Sequence, residues 1–569
     1  MKSIAKIGVL LDNETCKRRW QFGINVFERY ITEILSHAGI PFTLLESVEE
    51  ALQLQPDILV AAAAPDDRQS TESMLRYAQS GGLLISFAGL NSLASKLGYR
   101  RLKEYREGYA ELGGGERLSG GGGVPEKLRW LSAVPWVKLD GMLTGEPVGV
   151  PEAEAGDLRK ESPDGASIGA ALQQFRVGEG AIDRWAVNIP VTMAGLMHGT
   201  RPVLEDGVPA PDGSAQVNEG ILKIDDVLEL DWEYDRRSSP GTPFPYFQIP
   251  YADLWREAWL GYLVKRALEQ GLTIPMVGHW PDGVEQVAHI SLDSDHNINE
   301  EAWTTLGLLE ELQVSSTWCM CVPGYEQAVY DRVLADGHEL ALHFNAVTSE
   351  GFAWGETSFR SQIDWLRRAT GVADIVSNKN HVTREEGWGD LFRWCELEGV
   401  QHDQTRGPSK KGNGGFAYGT CLPYFPIAWA NEENRLYDVL QVGFLLSDFN
   451  HMGTDAYVPI LRQARRVGGV AHVVLHQTHL HTKEIDREWL RAIVKEAREQ
   501  GFVFWTGRQI NEWERARRQV RVAGFCGEMN PLVEGEVPPG TVVYVPTMES
   551  DIDMVLRYGV PCRKIVLQG

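Results

Sequence analysis

From about residue 285 onward the chain alternates short apolar runs with amphipathic stretches of helical period. That alternation limits the folds open to it. A strand followed by a helix before the next strand pairs in parallel, because a parallel connection needs a crossover of about a dozen residues or more. Strands are expected at Val287–Leu292, Ser316–Val322, His338–Phe344, Asp374–Ser377, Val400–Asp403, Val439–Leu445, His472–Leu475 and Phe502–Trp505. Helices are expected at Glu300–Leu312, Ser358–Ala369, Trp388–Glu398 and Ile485–Gln500. About eight such units close, or nearly close, a β/α barrel.

The remaining chain is organised differently. A length of 569 residues calls for two or three domains. Residues 1 to 95 give strands at Ile4–Leu11, Asp57–Ala62 and Gly82–Phe87, with a helix over Val26–His37. That order implies a parallel sheet with helices on both faces, and it resembles a flavodoxin-like or class I glutamine amidotransferase-like domain. The resemblance is one of pattern. No Gly-x-Cys-x-Gly nucleophile elbow is present and Cys16 lies at a polar helix start, so no amidotransferase activity is carried over. Residues 96–250 read as a β-rich insertion with strands at 185–191 and 221–230. Its glycine run at 113–123 lacks the Lys-Ser/Thr of a phosphate loop and reads as a surface loop. A helix at Tyr251–Glu269 closes the N-terminal unit. The expected division is 1–280, a barrel at 285–520, and a small β-rich tail at 521–569.

Charge narrows the partners. With 55 Lys and Arg against 78 Asp and Glu, the net charge is -23. Binding to nucleic acid rests on basic residues that neutralise phosphate, so this balance argues against it and against an anionic membrane surface. No run is long enough to span a bilayer. The N-terminus reads as a first strand, not a signal peptide. The seven cysteines include no CxxC pair, and Cys319 and Cys321 suit neither a zinc knuckle nor a disulfide. Reduced thiols and a cytoplasmic location are expected.

The chemistry concentrates in the barrel region. Only His37, His198 and His279 precede residue 285; eleven histidines follow it. In His289-Ile-Ser-Leu-Asp-Ser-Asp-His296 an apolar strand runs into Asp293 and Asp295. Alternation puts these two carboxylates on one side, where a metal ion or a shared proton would relieve their repulsion. His343, His381 and His476 each follow another apolar strand. In a β/α barrel those strand ends converge on one face.

These segments resemble the motifs of the polysaccharide deacetylase superfamily, carbohydrate esterase family four. Ser-Leu-Asp293-Ser-Asp295 resembles its paired-aspartate motif. Gly337-His-Glu-Leu-Ala-Leu-His343 resembles its first histidine motif, and Val473-Val-Leu-His476 its last. The likeness covers roughly 285–520 and implies a distorted barrel of about seven strands. It further implies a divalent ion, zinc before cobalt, nickel or manganese, on Asp295, His343 and a third ligand. Asp293 would be the general base and His476 the general acid. The family's other histidine falls here on Val347, which binds no metal. His381 is the substitute, with His296 and Asn345 behind it. The family's Arg-Pro-Pro motif is missing, and Lys379 or Arg384 would orient Asp293 instead. The implied reaction is removal of an acyl group, typically N-acetyl, from a carbohydrate or glycoconjugate. Trp388, Asn380 and Arg384 are the expected substrate contacts, Trp388 as an aromatic platform. The basic loop Gly407–Gly415 reads as solvated, with a lid as the alternative. The rival reading is an inactive barrel that binds a sugar or a protein partner. Val347 and the missing motif keep it open.

Overall fold

A computed structural model describes residues 3–112, 127–139, 148–239, 242–453, 455–527, 530–548 and 554–567. The glycine run at 113–123 lies outside the described residues. In the N-terminal unit five parallel strands lie in the spatial order Thr43–Leu45, Ile7–Leu11, Ile58–Ala63, Leu83–Phe87, Gly180–Trp185. This is the 2-1-3-4-5 order of one kind of doubly wound sheet. Leu172–Val177 and Val150–Ala155 extend it antiparallel. Three of the parallel strands are buried along their whole length, as a sheet covered on both faces requires.

Several expectations are corrected here. The helix expected over Val26–His37 is a 3-10 turn, Phe27–Tyr30, followed by an α-helix, Ile31–His37. Residues 185–191 are not a strand. The ladder ends at Trp185, and Ile189–His198 is a helix with Pro190 in its first turn, where a missing N–H is harmless. Residues 221–230 are not a strand either. They hold the 3-10 turn Ile224–Val227, because the Asp226 carboxylate accepts the N–H of Lys223 at 2.8 Å and of Gly207 at 2.7 Å. The helix Tyr251–Glu269 forms as expected.

The chain is a mixed α/β protein whose second sheet is a parallel-strand half-barrel. Its order is Leu440–Gln441, His402–Asp403, Ser377–Asn380, Glu339–Phe344, Thr317–Met320, Val287–Asp293, Val470–His476, with Val503–Phe504 pairing beside Val287. Beyond Gln441 the chain reaches back to the far edge: Leu445 N–H donates to His472 O at 2.9 Å, and Val474 N–H donates to Leu446 O at 2.8 Å. One expected strand is displaced. Asp374–Ser377 is replaced by Ser377–Asn380, a strand with no apolar residue whose main chain pairs on both sides.

The tail forms the hairpin Arg521–Cys526 with Asn530–Glu534, and a sheet in which Val542–Pro546 pairs with Met276–Val277. One apolar cluster runs without a break from Val9 and Ile34 through Trp259 to Ile290 and Leu475. Arg518 adds a two-pronged ion pair to Glu33 at 2.7 and 2.8 Å. Among the described residues no helix is long and apolar enough to cross a membrane.

Candidate metal centre

Strand register assembles the site. In Val287–Asp293, alternation turns His289, Ser291 and Asp293 into the barrel and sends Ile290 and Leu292 outward into the apolar cluster. Asp293 is the register partner of Cys319 on one side and of His476 on the other. His343 is the partner of Lys379. Laterally paired residues share a face of a sheet, so Asp293, His343, Lys379 and His476 all point inward at the carboxyl ends of their strands.

Three donor atoms form a triangle. Asp295 Oδ1 lies 3.2 Å from His343 Nε2 and 3.2 Å from His381 Nδ1, and the two nitrogens are 3.3 Å apart. Ligand atoms on a tetrahedral ion at about 2.0–2.1 Å stand about 3.3–3.4 Å from one another, so the spacing fits zinc. His343 supplies a second test. Its Nδ1 lies 3.0 Å from Lys379 O and donates there, so Nε2 is the ring nitrogen turned to the Asp295 carboxylate. Either a proton on Nε2 or a bound cation can bridge it to Asp295 Oδ1 at this 3.2 Å spacing. Burial alone would raise the Asp295 carboxyl. Its bonds to His343 and His381 and the charge of His476 outweigh that and hold it well below the usual carboxylate range. For His381 burial works downward, while Asp295, then Glu350 and Asp293, raise it overall.

Around the triangle stand the proton-handling groups. Asp293 Oδ1 is buried with no hydrogen-bond partner. Its Oδ2 lies 3.9 Å from His343 Nε2, 4.0 Å from His476 Nε2 and 3.4 Å from Lys379 Nζ. Lys379 is 1% exposed, so its ammonium is an ion partner of Asp293 in a dry setting; it also lies 4.3 Å from the centre of the Phe444 ring. Of the two residues expected to orient Asp293, Lys379 is therefore the one that reaches it. His476 Nε2 is 3.6 Å from Asp295 Oδ2.

Asp448, which sequence reasoning missed, is fully buried behind His476. It accepts the ring Nδ1–H at 2.5 Å and the His476 backbone N–H at 2.9 Å. Burial pulls the His476 imidazole down, but Asp448, followed by Asp295 and Asp293, pushes it up to about 10. The same contacts, with His479 Nδ1 at 3.4 Å, hold Asp448 below the carboxylate range despite its burial. Ligand atoms of Asp448, His476 and His479 also lie within 4.8 Å of one another. The 2.5 Å contact is a hydrogen bond, shorter than the about 2.9 Å that separates adjacent ligands on one ion at the closest.

Cys321 was also missed. Its sulfur lies within 4.8 Å of all three donor atoms, and its thiol donates to His343 O at 3.4 Å. Burial, then Asp295 and Asp293, keep that thiol protonated.

The other expected residues lie outside the triangle. Asn380 is 1% exposed; its amide donates to Arg384 O at 2.7 Å and accepts from Asn378 at 2.9 Å. Arg384 binds Glu386 and Ala346 O. Trp388 stacks on Phe27 and His198, abuts Trp429, and donates to Ile427 O at 2.7 Å, at the seam with the N-terminal unit. Val347 follows the His343 strand, and Asn345 beside it turns to Glu350. His296 is exposed and lies 4.0 Å from Glu301. The Gly407–Gly415 loop is corrected. It is largely buried under the insertion, where Asp225 accepts bonds from Ser409 and Asn413, both at 2.7 Å.

No family model and no curated protein matches the chain. Similar solved structures include a protein from Mycobacterium smegmatis assigned as a polysaccharide deacetylase, at 17% identity and a TM-score of 0.32, covering 44% of this chain and 96% of that one. Another, from Bordetella bronchiseptica, is assigned as a polysaccharide deacetylase of O-antigen biosynthesis, at 14% identity and 0.27, covering 37% and 90%. A family 4 carbohydrate esterase from Bacillus anthracis matches at 12% and 0.24, over 45% and 92%. Likenesses of this size assign no residue a role.

Proposed function

We propose that the chain is a metal-dependent hydrolase that removes an acyl group, first of all N-acetyl, from a carbohydrate or glycoconjugate. The observation that carries this reading is the Asp295–His343–His381 triangle, flanked by Asp293 and His476. Those three residues would hold a divalent ion. Two imidazoles and a carboxylate at tetrahedral spacing suit zinc, with cobalt, nickel and manganese as alternatives. Bound there, the ion supplies a water of lowered pKa and polarisation of the acyl oxygen.

The chain's own groups manage the protons. Asp293 takes one from the attacking water through Oδ1, the oxygen with no hydrogen-bond partner, while Lys379 holds Oδ2. His476 stays charged on Asp448 and presents Nε2 to the site, so it can protonate the leaving nitrogen. The carbon–nitrogen bond breaks, water's oxygen joins the acyl carbon, and the products are acetate and a free amine. The barrel at 285–520 would be the catalytic unit. The N-terminal unit keeps its flavodoxin-like and amidotransferase-like reading without an active site of its own. Trp388 and Arg384, both partly exposed, would be substrate contacts outside the triangle, and Asn380, 1% exposed, would support Arg384 through its carbonyl.

The test is acetate release from a panel of N- and O-acetylated sugars, with the chain stripped by chelator and reloaded with each metal. Release that depends on added metal supports the proposal. Tight metal retention with no release from any member would favour a sugar-binding, inactive barrel.

A further inference from the structure

His381 stands where the sheet gives way to a loop, and the two residues after it are held in an uncommon backbone conformation. Val382 and Thr383 have φ of 48° and 55°. Side chains branched at Cβ avoid this left-handed region, because Cβ closes on the following carbonyl. Two such residues in succession persist only where the surroundings over-determine them.

Those surroundings come largely from the N-terminal unit. Val203 and Gly387 exchange both main-chain bonds: Val203 N–H to Gly387 O at 2.8 Å, and Gly387 N–H to Val203 O at 2.9 Å. Glu385 N–H donates to Leu222 O at 3.0 Å, and Lys223 bridges Arg384 antiparallel. A buried ion pair, Arg406 to Glu385 at 2.6 Å, backs the same segment, and Arg406 also donates to Met197 O at 3.4 Å. The barrel contributes Asn380, which donates to Arg384 O, and Ala346 O, which accepts from the Arg384 guanidinium. The 384–387 segment is thus sewn to the insertion, a few residues from the third donor of the triangle.

We propose that residues 203 and 222–223 of the insertion act as a clamp on the metal centre. By pairing with residues 384–387 they hold the strained 382–383 turn, and the turn places His381 Nδ1 at the third corner. The inference rests on the metal reading above. It also accounts for how the chain does without a ligand at Val347. A donor just beyond Asn380, where its strand's ladder ends, needs support from outside the ladder. The N-terminal unit is then part of the centre, not an appendage.

The experiment uses the full chain and measures zinc affinity by competition with a chromophoric chelator, alongside the visible spectrum of the cobalt-loaded protein. Val203→Pro removes the N–H that Gly387 O accepts. It should weaken zinc binding about ten- to hundredfold, the range for lost outer-shell support. Adding Val382→Gly and Thr383→Gly to that variant should recover most of the loss, because glycine adopts the left-handed region without being held there. Val203→Pro with unchanged affinity, or no recovery on adding the glycines, overturns the clamp.

Should Val203→Pro fail to fold, the unaltered chain decides. Coupling is reciprocal, so zinc should slow hydrogen exchange at the Val203, Glu385 and Gly387 amides. Unchanged exchange there overturns the clamp. An unaltered chain that binds no divalent ion would instead bring down the metal reading itself.

Discussion

The two parallel sheets of this molecule are built from different interiors. In the N-terminal sheet the central strands are apolar on both faces, as in Val9, Leu10, Val60 and Ile85, each fully buried. In the half-barrel, inward positions carry His289, Ser291, Asp293, His343, Lys379 and His472 at 5% exposure or less. Burying such groups is costly unless they satisfy one another. Deep in the barrel many do. Ser291 pairs with His472 at 2.8 Å, His289 with Gln404 at 2.8 Å, and Thr317 with Glu339 at 2.7 Å. At the carboxyl ends of the strands Asp293 Oδ1 and Lys379 Nζ are buried without a hydrogen bond. Buried polar side chains occur in the N-terminal sheet too, as at Ser86, Asp183 and Arg184; in the barrel they gather around the Asp295–His343–His381 triangle.

Four substitutions test this contrast. Asp295→Ala strikes the triangle and should lower zinc affinity by more than about a hundredfold, beyond what outer-shell losses produce, and abolish acetate release. Chelator competition and an acetate assay measure both. Asp293→Asn should reduce kcat about 10²–10⁴-fold, the usual worth of a general base, while zinc stays bound. Retained turnover would remove Asp293 from the mechanism. Asp448→Asn should cost about a hundredfold in kcat. Because Asp448 holds the His476 imidazole up, its loss lets the proton donor titrate earlier. The alkaline limb of the pH–rate profile should move to lower pH; an unmoved limb would deny the pairing a role.

Asp183→Ala carries the contrast to the other sheet. Asp183 is a fully buried carboxylate held by Arg266 at 2.7 Å and by Tyr262. Its loss should lower stability by about 3–5 kcal/mol, the cost of breaking a buried pair, with zinc affinity and kcat unchanged. Thermal unfolding beside the zinc assay checks this. A matching loss of zinc affinity would erase the distinction between the sheets.

What the sequence discloses follows from where side-chain pattern and main-chain pairing agree. Asp293, Asp295, His343 and His476 follow apolar strands, so alternation finds them. Ser377–Asn380 has no apolar residue, and periodicity settles instead on the neighbouring Ile375 and Val376, which are buried just ahead of the first register pair, Ser377 with His402. Asp448 comes three residues after the strand expected at Val439–Leu445, which forms a ladder only over Leu440–Gln441, so it does not stand at a strand end. Cys321 comes into view only because strand register sets Cys319 beside Asp293. Trp388 sits between glycines as an exposed platform would, yet it stacks on Phe27 and His198, far away in the chain, and is half-buried. The 221–230 alternation looks like a strand, but Asp226 capping its own turn overrides it.

The most direct measurement is a crystal structure of the zinc-soaked full chain, with the ion located by anomalous scattering at its absorption edge. The prediction is one strong peak about 2.0–2.2 Å from Asp295 Oδ1, His343 Nε2 and His381 Nδ1 together. A peak that leaves out His381, or no peak at the triangle with zinc in excess, would contradict it.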